Sequence, residues 1–147
     1  MTEAPTLDTL KNQAVLSKLE GVGSRPLVII RTVFPFRFFP CTIKLDREKI
    51  TISNSLFFFA KEVENFLVKD LVSITTSENI LFASITLISG LRLNRKLRID
   101  YFWKADAHQF RRTCQGLIIA LKENVDVMKV GDQELVSKLE EIGKANI

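Results

Sequence analysis

Between residues 107 and 121 apolar side chains recur at Ala107, Phe110, Cys114, Leu117, Ile118 and Leu121, in steps of three, four, three, one and three. Those steps trace one stripe of an α-helix, and Arg111, Arg112, Gln115 and Lys122 fall largely off it. Asp106 in the first turn and Lys122 in the last suit the two ends of the helix dipole. A helix of this length is marginal alone in water, so the stripe predicts a surface elsewhere in the fold that receives it.

Ahead of the helix the period is two. Cys41, Ile43 and Leu45 alternate with Thr42, Lys44 and Asp46, and after Asp46, Arg47, Glu48 and Lys49 the pattern resumes at Ile50 and Ile52, which predicts a β-hairpin. Ser53, Asn54 and Ser55 read as the next turn and residues 56–60 as a third strand. Residues 66–76 read as a fourth, with a break near Lys69 and Asp70. Residues 80–89 and 95–102 complete the set. In the last of these, Lys96, Arg98, Asp100 and Phe102 share one face and Leu97, Ile99 and Tyr101 the other. Trp103 is expected to pack between sheet and helix. Residues 27–40 are interrupted by Arg31, Pro35, Arg37 and Pro40, and proline cannot donate to a ladder, so a seventh strand there, over residues 27–33, must lie at an edge or end before Pro35. The pattern predicts a mainly β fold with a C-terminal α-helix: a partly open antiparallel barrel of about seven strands, capped by one amphipathic helix, with short helices at both chain ends.

Three segments follow. Residues 1–24 form an N-terminal helical appendage and linker, with a helix over residues 6–20 that Thr6 caps and Gly21 and Gly23 end. Residues 25–123 form the barrel with its capping helix. Residues 124–147 are a connector and a short helix that Asp132 caps, with Leu135, Val136, Leu139 and Ile142 in a narrow seam. Residues 16–23 and 136–143 agree at five of eight positions, with apolar exchanges at two more. Two helices with like ends, or two helices that dock on equivalent surfaces, would each produce that match.

The order of elements, the run Leu67-Val68-Lys69-Asp70-Leu71-Val72-Ser73-Ile74 leading into a long strand, and Phe102-Trp103-Lys104-Ala105-Asp106-Ala107-His108-Gln109-Phe110 opening the final helix together resemble the bacterial pleckstrin-homology-like domains. The resemblance covers roughly residues 27–122. It implies a seven-stranded, strongly bent sheet closed at one end by the helix, and a non-enzymatic module of a kind that sits near membranes or assembles into rings. Relatives that bind phosphoinositides carry several cations in the loop between their first two strands. Here that loop is either Asp46 to Lys49, balanced in charge, or the segment around Arg37, with one cation. A helix-grip fold also ends in a long helix over a bent sheet, but it inserts two helices after its first strand and none is visible here.

Composition narrows the function classes. A chain of 147 residues, 46% hydrophobic and 26% charged, is sized for one domain with a real core. Its longest apolar runs are five residues, far short of the roughly 20 needed to span a bilayer. The start of the chain lacks a basic-then-apolar signal pattern, so a cytoplasmic, at most membrane-peripheral, location is expected. Cys41 and Cys114 both lie in the apolar phase of their elements and read as buried thiols. With one histidine, His108, the chain has no zinc ligand set, and no cofactor or small-molecule substrate is evident. Glu62 and Glu64 share a strand face without a second carboxylate pair, so an enzyme is not expected.

Two clusters remain as candidate contacts. Residues 92–112 hold seven cations (Arg92, Arg95, Lys96, Arg98, Lys104, Arg111, Arg112) against Asp100 and Asp106, a net +5 in a chain of net +4. Arg92, Arg95, Lys96 and Arg98 are the candidate contact for an anion or a partner, and the plain alternative is a solvated turn. No aromatic residue interleaves them, which argues against nucleic acid. Of eleven phenylalanines, seven lie between Phe34 and Phe59. Phe57, Phe58 and Phe59 are a candidate interface, because a strand there must put Phe58 opposite the other two; the alternative is core. The sequence thus predicts a module acting through protein contacts or self-association, with an anionic membrane surface as the alternative partner.

Overall fold

The computed structural model describes residues 25–57, 60–90 and 95–145. The N-terminal helix expected over residues 6–20 lies outside them. Among the described residues seven strands precede two helices: β1 (Val28–Arg31), β2 (Cys41–Leu45), β3 (Lys49–Ser55), β4 (Lys61–Leu67), β5 (Leu71–Glu78), β6 (Phe82–Ser89), β7 (Arg95–Trp103), α1 (Lys104–Lys122) and α2 (Asp132–Ala145). The fold is mainly β with C-terminal α, as the pattern predicts. The strands form two antiparallel meanders, β1-β2-β3-β4 and β5-β6-β7, and do not close into one barrel. A 3-10 turn at Val68–Asp70 joins them, where the break near Lys69 is expected. At the opposite seam the Val33 N–H donates to the Tyr101 carbonyl at 2.7 Å, tying the β1 edge to the β7 edge.

The period-two readings hold where one face is buried. Ile43, Leu45, Ile50 and Ile52 are fully buried and face Ile85, Leu87, Phe102, Phe110 and Leu117 across one core. The β2–β3 turn is an Asx turn, in which the Asp46 carboxylate accepts from the Glu48 and Lys49 N–H groups at 2.9 and 3.1 Å.

Four local expectations are corrected. Ser53, Asn54 and Ser55 are not a turn; they end β3 in register with Val63, Glu62 and Lys61. Of the third strand expected over residues 56–60, Leu56, Phe57 and Ala60 lie outside any strand, with the Leu56 N–H donating to the Ala60 carbonyl at 2.8 Å, and Phe58 and Phe59 lie outside the described residues. The strand comes later, on charged residues exposed on both faces. Ile80 and Leu81 lie outside β6, because the Asn79 side chain accepts from the Leu81 and Phe82 N–H groups (3.1 and 2.7 Å) and holds them in a turn. Lastly, β7 carries an extra residue between the pairs Ile85↔Ile99 and Ala83↔Phe102, and Tyr101 takes a φ of 71° there. This bulge reverses the alternation, so that Phe102 is fully buried while Tyr101 and Trp103 face outward. Trp103 is therefore not the packing anchor between sheet and helix.

The stripe of α1 is seated as expected: Phe110, Cys114 and Leu117 are fully buried, and Leu121 packs partly against the core. Its opposite side is buried too, because α2 lies along Thr113, Gly116 and Ala120. The helices approach at two glycines: a Cβ on Gly116 would stand 2.7 Å from the carbonyl carbon of Leu139, and one on Gly143 2.7 Å from that of Arg112. Helix α1 ends in a Schellman motif. Asn124, at φ 55°, donates to Leu121 (3.2 Å) and Val125 to Ala120 (2.9 Å). The connector returns α2 under the hold of Arg47, whose guanidinium donates to the Val127 and Val130 carbonyls (3.1 and 2.8 Å) and pairs with Asp132 at 2.7 Å. The last helix thus packs on its own chain, and Arg47, in one of the two candidate anion loops, is committed to that packing.

Both thiols are free and fully buried. Burial pushes the Cys114 thiol from its ordinary 9.0 up to about 12. Native protein at pH 8 is expected to leave both unreacted with a disulfide reagent over hours, and urea to release two thiols. The sign with pH follows. Below about pH 9 the burial of a neutral thiol is uncharged and stable, whereas from there towards pH 12 only the unfolded chain ionises, so stability falls. Cys114→Ala should flatten that alkaline slope.

Candidate functional site

Four connections meet at one end of the molecule. The β1–β2 loop, the β3–β4 loop, the β5–β6 turn and the β7–α1 junction leave the two meanders on the same side, and ring contacts join them. Phe82, itself buried, has Phe36, Trp103 and Tyr101 around it with centroids 4.7, 5.5 and 5.9 Å away. Phe39 meets Phe57 at 5.5 Å and Phe38 at 5.2 Å.

The β1–β2 loop is the organising element. Pro35 and Pro40 remove two donors, so the chain cannot continue as ladder. Its base is closed by Thr32: its N–H donates to the Cys41 carbonyl (3.0 Å) and its hydroxyl accepts from the Cys41 N–H (2.9 Å). Arg37 N–H donates to Val33 (3.1 Å) and Ser55 N–H to Pro40 (3.1 Å). The backbone is pinned while the rings stay outside: Phe34 is 69% exposed, Phe38 73%, Phe57 69% and Trp103 53%, and Ile80 at the neighbouring turn is 93% exposed. Single exposed apolar residues are ordinary, but convergence of this many on one end makes that end the candidate contact surface.

An open groove of about 680 Å³ runs beside this end, between residues 29–34 and the first turn of α1. Its charged members are Arg31 and Asp106, one of each sign. Nearby, the Asp100 carboxyl is held below the ordinary carboxylate range, first by the hydrogen bond from Ser84 (2.5 Å) and then by Arg98, with Arg37 adding to the field; partial burial works the other way. His108 pairs with Glu78, which Lys104 also approaches at 3.7 Å, tying the start of α1 to β5. Among the described residues no three His, Cys, Asp or Glu side chains cluster to hold a metal.

The cations singled out by the sequence lie elsewhere. Arg95 and Lys96 begin β7 at the far end from the aromatic rings, and Arg92 is outside the described residues. Arg95 is paired with Glu64 at 2.8 Å and lies over the Phe66 ring, and Arg98 is paired with Asp100 at 2.8 Å. Lys96 is exposed. Of the candidate interface, Phe57 sits in the aromatic end, and Phe58 and Phe59 are outside the described residues. Sequence reasoning missed Phe34, Phe36, Phe38 and Trp103 as site residues; the signal was the density of phenylalanine between two prolines. No family model, curated protein or solved structure matches the chain.

Proposed function

We propose that the chain is a non-enzymatic binding and assembly module of pleckstrin-homology-like build, acting in the cytoplasm through protein contacts made by its aromatic end, with a second copy of the chain as the partner. The observation that carries this reading is the convergence of Phe34, Phe38, Phe57 and Trp103, exposed on a pinned backbone. Rings held in place cost little entropy to bury, and aromatic residues dominate interface centres. The groove beside it carries Arg31 and Asp106, charges of opposite sign that a second copy could pair across a two-fold axis. The order of seven antiparallel strands followed by the packed helix supports the pleckstrin-homology-like reading, and two free thiols fit a reducing compartment.

Size-exclusion chromatography with light scattering tests it. The wild-type chain should gain mass as concentration rises, and Phe34→Ser/Phe38→Ser should remain a monomer. Because both rings are mostly exposed, the double variant should change stability by no more than about 0.5 kcal/mol per site. A wild-type chain that stays monomeric at high concentration would remove the self-association.

A second reading, contact with anionic lipid, is favoured by exposed Lys96 beside Arg95 on a chain of net +4. Liposome flotation separates the two: binding through this basic turn must weaken as salt rises and must survive Phe34→Ser/Phe38→Ser.

A further inference from the structure

The four-stranded sheet separates its charges by face. Val28, Ile30, Ile43, Ile50, Ile52 and Phe66 turn inward, and Glu62 and Glu64 of β4 share that inward phase, where Glu64 engages Arg95. The outward phase holds Arg31 on β1, Lys44 on β2, Lys49 on β3 and Lys61 on β4, all exposed. No carboxylate of the four strands shares that phase. Glu48 in the β2–β3 turn and Asp106 across the groove from Arg31 are at its rim.

The cross-strand neighbours of these cations are uncharged. Arg31 faces Thr42, Lys44 lies between Ile29 and Thr51, Lys49 faces Leu67, and Lys61 faces Ser55. The ion pairs of the described residues involve none of the four. Opposite charges on facing strands stabilise a sheet, and this face forgoes every such pair. Lysine on an outermost strand guards against edge-to-edge pairing, but Lys44 and Lys49 stand on the two inner strands, where there is no edge to guard.

The register sets three of the cations in a line. From Arg31, Lys44 is one strand across and two residues along, and Lys49 repeats the step in the same direction; each such diagonal spans about 7–8 Å. Thr51 and Asn65, joined at 2.9 Å, lie beside the line. A row of unopposed cations flanked by hydroxyl and amide groups matches a linear polyanion, whose phosphate oxygens accept from side chains of these kinds. Dispersed lipid headgroups ask for no such line. The outward phase of the four strands also holds no aromatic ring to wedge into a bilayer or to stack on unpaired bases.

We infer that the outer face of this sheet docks the phosphate backbone of double-stranded nucleic acid through Arg31, Lys44 and Lys49, without reading its sequence. The inference rests on the sheet register and is independent of the aromatic end.

Fluorescence anisotropy of a short labelled DNA duplex of mixed sequence tests it in the full chain. Between 50 and 200 mM salt the wild-type affinity should fall about fortyfold, because each of three phosphate contacts adds roughly 0.9 to the salt slope. Lys44→Gln/Lys49→Gln should bind at least about tenfold more weakly at the lower salt and lose about two thirds of that slope. Lys129→Gln/Lys138→Gln removes the same charge from exposed side chains of the connector and α2, and should stay within about threefold of wild type with its slope unchanged. Equal losses in the two double variants would show net charge alone at work and overturn the inference. A wild-type chain that leaves the duplex free at the lower salt would overturn it as well, and binding of phosphatidylserine vesicles by that chain through Lys44 and Lys49 would give the face to a membrane instead.

Discussion

Gly116→Ala lowers the stability of the chain by about 3 kcal/mol, although alanine is the better helix former by about 1 kcal/mol. The added methyl has nowhere to go. Its carbon would lie 2.7 Å from the carbonyl carbon of Leu139 and 2.9 Å from its Cα, and closer still to the oxygen. These are backbone atoms in the middle of α2, so no side chain can swing aside, and the whole helix must move off Thr113 and Ala120. For a chain of this size the melting temperature should drop by roughly 10 °C. Gly131→Ala is the matched control: nothing lies within 4 Å of its Cβ, and it should stay within about 0.5 kcal/mol. Gly143→Ala should behave like Gly116→Ala, and the two together should cost less than their sum, because one displacement of α2 relieves both overlaps. A Gly116→Ala melting curve that superposes on that of the wild type would refute the close crossing.

Arg47→Met should cost about as much, for a different reason. Arg47 is only 8% exposed, and its guanidinium is the donor to two connector carbonyls and the partner of Asp132. Removing it leaves the Val127 and Val130 oxygens without that donor in a place where a buried unpaired group costs about 1–3 kcal/mol. Asp132 is partly exposed and can turn to water, so the loss of the ion pair itself is the smaller part. The expected total is about 3 kcal/mol, with Arg47→Lys losing roughly half, because one ammonium cannot span both carbonyls and a carboxylate. Amide hydrogen exchange locates the effect: α2 and residues 125–130 should exchange faster while β2 and β3 keep their protection. Uniform acceleration across the sheet would show that Arg47 supports the core and not the connector.

What the sequence makes legible is whatever leaves a periodic apolar trace. The α1 stripe, the Cys41 to Ile52 hairpin and the break near Lys69 are of that kind. The second buried face of α1 is not, because Thr113, Gly116 and Ala120 are small and carry no hydrophobic signal; only the α2 backbone lying on them explains them. Strand β4 is hidden by Lys61, Glu62 and Glu64, which its largely exposed first half tolerates, while Leu56 and Phe57 before it lie outside any strand. The bulge at Tyr101 has no sequence mark either. A bulky residue at positive φ is held there by its surroundings, and the resulting shift exchanges Phe102 and Tyr101 between core and surface. For the candidate site, the crowding of phenylalanine between Phe34 and Phe59 is visible in one dimension. That the β1–β2 loop leads the site, and that Trp103 joins it from the end of the last strand, requires the meanders to bring four connections to one end. The basic cluster shows the converse: its charge is legible, but not the carboxylates of Glu64 and Asp100 that engage two of its arginines.

The aromatic end contains its own reporter, since Trp103 is the single tryptophan of the chain and is half exposed there. Its emission maximum, followed through a dilution series, reads whether that surface becomes covered. The account predicts emission that shifts to the blue as wild-type concentration rises, and that stays at the long-wavelength position in Phe34→Ser/Phe38→Ser at every concentration. An emission maximum that does not move while light scattering records growing mass would place the contact elsewhere and contradict the account.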